Sequence, residues 1–327
     1  MSRSREIRGA GVIVTAVLAG ALAAGCGAPG VPRAGGGPAA DGGVVTGEQA
    51  DRIVRRVLEA DAQLRSGAPG SETQITATYA GEGARAARGL ALLIAKGSAS
   101  KASPELGEVQ VLANSQGSGY PRYLVGSSKP TADGLPWISL LVATNAQTPY
   151  RLTLTAQVLP GAKINAFPAT ADGSSVVTES DAYATQPVTL FTEYANGLTA
   201  KQDNPPYEPD VFADQVLSRA RTTQESVAAD ADFTQSNQVD SDPFVALRQL
   251  NGDALVFGAI ERTSDYAIKA GKQMPPTSIF SAFVPGRTAL VQQARTTTAQ
   301  FLVFSLPREG KAHLVAAAEV VVGASGY

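Results

Sequence analysis

The chain has 327 residues, of which 44% are hydrophobic, with 33 Gly, 20 Pro, one Cys, one His and a formal net charge of −2. That length holds two ordinary domains or one large one. A mildly acidic chain without a long basic run argues against nucleic acid or anionic lipid as the main surface it binds, and one His beside one Cys leaves no ordinary zinc or haem ligand set, so no metal and no cofactor is expected.

Arg3, Arg5 and Arg8 make a basic start, and residues 9–25 are uncharged and rich in Ala, Val, Leu and Ile. This is the n-region and h-region pattern of a secretory signal, and it is short for a comfortable membrane span, which takes about 20 apolar residues. The run ends in Leu22-Ala23-Ala24-Gly25-Cys26. This resembles the lipobox of bacterial lipoproteins, with Ala23 where that motif usually carries Leu. The resemblance implies cleavage before Cys26, acylation of its thiol, and a body held outside the cytoplasm on the cell membrane. Two other readings fit the same residues: a small-x-small cleavage site at Ala21-Leu22-Ala23 that releases a secreted protein, and an uncleaved anchor. Placement of the sole Cys directly behind the apolar run favours lipidation, because an exported domain with one unpaired cysteine is unusual. Loss of residues 1–25 removes three arginines and one glutamate, a net of +2, and leaves the mature chain near −4. Residues 26–45, rich in Gly, Ala and Pro, have little to bury and read as a flexible tether.

Residues 46–160 are expected to form a first α+β domain. Thr46 and Gln49 stand at capping-box positions ahead of Ile53, Val57, Ala60 and Leu64 at helical spacing, and Gly67 and Gly70 stop that helix. Residues 73–79 alternate Thr73, Ile75, Ala77 and Tyr79 against polar neighbours and predict a half-buried strand. Residues 83–95 fit helix and strand equally. Short apolar or alternating runs at 108–113, 122–127, 137–144 and 150–159, separated by turn residues that include Asp133-Gly134, predict an antiparallel meander. Trp137, Ile138, Leu140, Leu141 and Val142 read as sheet core.

Residues 161–206 are expected to be a linker with one short helix, opened by Pro187 and closed at Asn196-Gly197. Residues 207–327 are expected to be a second α+β domain. Asp210 caps a helix carrying Phe212, Val216, Ala220 and Thr223. Asn251-Gly252 between 244–250 and 254–260 signals a type I′ hairpin, and further strands are predicted at 289–295, 300–306 and 313–322. Each half begins with an amphipathic helix and ends in long strands. The fold class is therefore α+β, two tandem helix-on-antiparallel-sheet units, in shape like the cystatin-like or nuclear-transport-factor-2-like cone.

Candidate chemistry is sparse. His313 has no recognisable nucleophile motif beside it and reads as a structural or surface histidine. Gly81-Glu82-Gly83-Ala84-Arg85-Ala86 fits G-x-G-x-x-A on paper but in antiparallel surroundings, and reads as a tight turn. The acidic pairs Glu179/Asp181, Glu208/Asp210 and Asp240/Asp242 each supply only two carboxylates, fewer than a calcium loop needs. Tyr183, Phe191, Tyr194, Tyr207 and Phe212 gather near the linker and form either an interdomain groove or interdomain packing. No catalytic residue is assigned.

The lipobox at 23–26, the Ala-rich start, Gly119-Tyr120-Pro121-Arg122-Tyr123, the helix end at Leu198, and Ala246-Leu247-Arg248 through Ala254-Leu255-Val256-Phe257 together resemble actinobacterial cell-surface lipoproteins of an uncharacterised domain family. The resemblance implies export and lipidation through Cys26 and carries no catalytic residues. The function expected is binding or envelope assembly, with a membrane contacted through the N-terminal lipid and a small-molecule, cell-wall or protein ligand. The alternative is an extracellular enzyme acting on cell-wall or environmental material.

Overall fold

A computed structural model describes residues 42–327 apart from 69, 103–104, 130–133, 179–180, 201 and 242–243. Cys26, the signal, most of the tether and Asp133 of the expected Asp133-Gly134 turn lie outside the described residues. The elements are helices α1 (Gly47–Arg65), α2 (Glu72–Thr78) and α3 (Gly81–Ala95), then strands β1 (Glu108–Asn114), β2 (Arg122–Lys129), β3 (Trp137–Ala143) and β4 (Arg151–Val158). They continue with α4 (Pro187–Thr199), α5 (Val211–Val227), β5 (Ala231–Val239), β6 (Val245–Arg248), β7 (Ala254–Ile268), α6 (Ser278–Phe283), β8 (Gln293–Leu306) and β9 (His313–Gly326). The α+β class expected from the sequence is the class the chain adopts.

The strands form a single antiparallel sheet in the order β1-β2-β3-β4-β9-β8-β7-β5, with β6 also paired to β7. The last strand of the chain thus lies beside the last strand of the first half, joined by the pairs Gln157↔Ala317 and Val158↔Ala316. Side chains alternate along each strand. In β7, Leu255, Phe257 and Ala259 enter one core, while Ala254, Val256 and Ile260 enter another. The first of these is an inner core drawing Val125, Ile138, Leu154, Phe257, Phe301 and Val303 from both halves. β4 approaches β7 although β9 and β8 separate them in the sheet, so the sheet curls over this core. The opposite face is covered by α1 and α2 over the first half and by α4 and α5 over the second.

Helix α1 follows its sequence signals. Thr46 and Gln49 complete a reciprocal capping box at 3.1 and 3.3 Å, and Ile53, Val54, Val57 and Leu58 are buried against the sheet. Gly126 in β2 permits this approach: a Cβ there would lie 2.5 Å from Val54 Cγ1. Burial of each such side chain contributes roughly 1.5–3 kcal/mol.

The half-buried strand expected at 73–79 is instead α2. Ser71 and Gln74 form a second capping box, with Ser71 N donating to Gln74 Oε1 at 3.0 Å and Gln74 N to Ser71 Oγ at 3.2 Å. This local pairing starts a helix that outweighs the alternating pattern. Only Tyr79, just past its end, bridges to Leu152 of β4. The stretch that fitted helix and strand equally is α3. Gly81 and Gly83 stand in its first turn rather than in a tight turn between strands. A Cβ on Gly83 would lie 2.7 Å from the Leu152 and Thr153 carbonyl oxygens, and one on Gly89 would lie 2.5 Å from Val321 O. Backbone packs directly on backbone, and α3 is wedged where β4 and β9 part.

The second half differs in detail from expectation. Residues 289–295 and 300–306 do not form two strands: β8 runs unbroken from 293 to 306. The Asn251-Gly252 hairpin forms, but not as a two-residue type I′ turn. Gln249 N donates to Asp253 O at 2.8 Å, enclosing three residues of which only Gly252 has positive φ, the three-residue alternative of hairpin geometry. The helix opened by Pro187 continues through Asn196-Gly197 to Thr199. Gly197 serves a close approach, since a Cβ there would meet the Tyr207 hydroxyl at 1.8 Å. β5 and α6 had no counterpart among the predicted elements. The segment 161–206 carries the expected short helix and is also stitched to the sheet through Ser115↔Ser174 and Val176↔Leu247.

Candidate functional site

The Tyr207–Ala213 region is where the residues singled out from sequence converge. Tyr207 forms a parallel bridge with Ala312, where Ala312 N donates to Pro206 O and Glu208 N to Ala312 O, both at 2.9 Å. This short ladder sets Glu208 beside His313 at the start of β9, with His313 Nδ1 3.2 Å from Glu208 Oε2. Two residues on, Asp210 caps α5 by accepting Ala213 N at 2.8 Å, and both its carboxylate oxygens lie 3.0 Å from the Tyr194 hydroxyl.

A crevice of about 670 Å³ opens around these groups. Its floor is apolar, from Leu159, Leu314 and Val315, and its rim carries Glu208, Asp210, Asp253, Lys163 and His313. Leu159 N donates to Val315 O at 2.9 Å, fixing one wall to β9, and Asn165 accepts Gln249 Nε2 through its backbone oxygen at 2.9 Å, tying that wall to the β6–β7 loop that carries Asp253. Burial pushes the Asp210 carboxyl above the ordinary aspartate value of 3.8, against the opposing pull of the Ala213 N–H and the Tyr194 hydroxyl. The Tyr194 phenol is held well above its ordinary value by burial, with Asp210 adding to the effect, and Tyr207 is pushed up to about 12, again chiefly by burial.

The polar groups around the crevice are chiefly hydrogen-bond acceptors, the carboxylates of Glu208, Asp210 and Asp253. Ser305 is the cross-strand partner of His313 and lines the crevice. No hydrogen bond joins the two among the described residues, so the base–nucleophile contact that a hydrolase relay requires is not made. Among the described residues no group of three or more His, Cys, Asp or Glu could hold a metal ion.

The aromatic residues near the linker are packed rather than splayed along a groove. Phe191, Tyr194, Tyr207 and Phe212 are buried in one core beneath α4 and α5, and Tyr183 packs against it. Tyr194 makes edge contacts with Tyr207 and Phe304 at centroid distances of 4.9 and 5.0 Å. Of the other acidic pairs, Glu179 and Asp242 lie outside the described residues. Asp181 is a structural anchor, accepting Thr178 N at 2.8 Å and pairing with Arg248; the Thr178 N–H and Arg248 hold its carboxyl below the ordinary range. Asp253, Lys163 and Asn165 were not singled out from the sequence; the only local sign of them was the Asn-Gly loop one residue before Asp253.

A second crevice, of about 650 Å³, lies along α5 on the far side of Tyr207 and runs between that helix and β5. A third space, about 50 Å³, lies beside the Asp61–Arg65–Tyr79 cluster and holds water at most. No helix among the described residues is long and apolar enough to cross a membrane. Comparison with protein families, with curated proteins and with solved structures finds no match to this chain.

Proposed function

We propose that this chain is a lipid-anchored binding protein of the extracytoplasmic face of the cell membrane, whose crevice at Glu208, Asp210, Asp253 and His313 holds a ligand rich in hydroxyl, amide or amine donors. The observation that carries the binding reading is the crevice itself: acceptors from three separate chain segments converge over an apolar floor, the usual composition of a ligand site. The anchor reading rests on Cys26 directly behind an uncharged run. Cell-wall fragments fit the rim chemistry, since they carry hydroxyls, amides and free amines together.

The anchor is tested by growing cells with an alkyne-tagged fatty acid. The tag is expected on the wild-type chain and lost in Cys26→Ala; an untagged wild-type chain, or one whose intact mass retains residue 1, overturns the reading. The site is tested by calorimetric titration with soluble muropeptides. Saturable binding weakened at least 10-fold in Asp253→Asn is expected, and no binding heat up to millimolar muropeptide overturns this ligand class.

A further inference from the structure

The crevice between α5 and β5 borders an unpaired sheet edge, and from this we infer a second site that captures an extended peptide by strand addition. β5 is the terminal strand of the sheet among the described residues. Its register with β7 runs without a bulge through Phe233↔Tyr266, Gln235↔Ser264 and Asn237↔Arg262. Asn237 N donates to Thr199 Oγ1 at 3.2 Å, so its N–H points away from β7. In an antiparallel ladder every second residue points its N–H and C=O the same way, which directs those of Phe233 and Gln235 outward as well.

The end of α4 covers the edge at Asn237, and Gln235 Nε2 donates to Leu198 O at 3.3 Å. Toward the start of β5 the crevice takes over, and Phe233 and Gln235 line it. The opposite wall is α5, which contributes Leu217 and Ala220 together with Asp214 and Arg221. A strand edge facing a helix across an open slot is the geometry in which extended peptides dock, with main-chain hydrogen bonds giving affinity and side-chain sockets giving selectivity.

The occupant can be specified further. Neither Asp214 nor Arg221 has an ion-pair partner within 4 Å among the described residues, although both line the slot. Seven residues apart on a helix, they are separated by about 10 Å along its axis. Side chains four residues apart on one face of an extended chain match this span, with about 13 Å between their Cα atoms and the long side chains leaning inward. α5 leads into β5 through the three residues 228–230, so the two run antiparallel. A peptide added antiparallel to β5 therefore runs parallel to α5 and meets Asp214 before Arg221. The matching segment carries a basic residue, then an acidic residue four positions later on the same face of the strand, with a small apolar residue midway between them for the Leu217–Ala220 wall.

The test uses the full chain, purified in detergent, and the fluorescein-labelled heptapeptide Thr-Lys-Thr-Val-Thr-Glu-Thr, whose Lys, Val and Glu share one face of the strand. Saturable anisotropy with micromolar affinity is expected. Exchanging the Lys and Glu, N-methylating alternate backbone amides, or filling the slot with Ala220→Trp should each weaken binding at least 10-fold. Circular dichroism monitors the fold of the variant, and the two altered peptides keep the test independent of it. Hydrogen exchange should show the Phe233 and Gln235 amides protected on binding. No saturable binding up to millimolar peptide, equal binding of the N-methylated peptide, or protection elsewhere overturns the inference. Asp253→Asn should leave this binding unchanged, which separates the second site from the ligand crevice.

Discussion

At Asp210 one carboxylate caps a helix, accepts a buried phenol and borders an open crevice, and these roles pull its ionisation in opposite directions. The Ala213 N–H and Tyr194 O–H favour the charged form, but burial outweighs them and the proton is held more tightly than in an unfolded chain. The folded state then binds more protons than the unfolded state just above pH 3.8, so this residue's contribution to stability falls as pH rises through that window. Asn keeps the side-chain oxygen that caps α5 and removes the titration. The stability of Asp210→Asn relative to wild type should therefore rise as pH increases from just below 3.8 to above the raised value, and then level off. Urea unfolding at a series of acidic pH values checks this; a difference that stays flat or falls with pH contradicts the assigned cause.

Helix α5 is attached to the sheet more lightly than its 17 residues suggest, with Phe212 and Val216 its only buried side chains. Further along, Arg219 reaches Glu319 of β9, which also pairs with Arg262 of β7 at 2.6 Å and accepts Gln300 Nε2 at 3.0 Å. Burial separates these contacts in energy. Arg262 and Glu319 have side chains only 13% and 16% exposed, whereas Arg219 is 56% exposed. Glu319→Gln leaves a largely buried guanidinium without its counter-charge and should cost about 3–5 kcal/mol. Arg219→Ala should cost about 1 kcal/mol or less. Denaturant midpoints of the two variants measure the contrast, and similar losses in both would show that the exposed contact carries the attachment.

The same elements show what was legible in the chain. The capping residues Thr46 and Asp210, the Pro187 start and the four short strands of the first half carry strong local signals, and each element stands where those signals place it. β5 was invisible because its inward positions include Gln235 and Asn237, whose side-chain amide nitrogens donate to Leu198 O and Thr199 Oγ1 of α4, partners known only once the chain has folded. α2 was misread because Thr, Ile, Ala and Tyr alternate as in a strand, while the decisive Ser71–Gln74 pair sits at its margin. Glu208, Asp210 and His313 could each be picked out, yet their convergence depends on the Tyr207↔Ala312 bridge between segments about a hundred residues apart, a contact no local pattern encodes.

Across the whole molecule the two halves share more than a chain connection. Their strands form one sheet, and the inner core mixes Tyr123, Ile138 and Leu154 of the first half with Phe257, Phe301 and Val303 of the second. α3 adds a second tie by lying with Gly83 on β4 and Gly89 on β9. Unfolding either half alone would expose the inner core of the other, so the described region should unfold in one cooperative step. Trp137 makes this measurable, being the only tryptophan in the chain and lying in β3 of the first half. Its fluorescence and far-ultraviolet circular dichroism should report the same denaturant midpoint. Phe301→Ala, a cavity made in β8 of the second half, should cost about 3–5 kcal/mol and lower both midpoints equally, because the Trp137 signal follows a core to which Phe301 belongs. If the fluorescence transition stays in place while the dichroism midpoint falls, the halves are separate folding units and the shared core does not couple them.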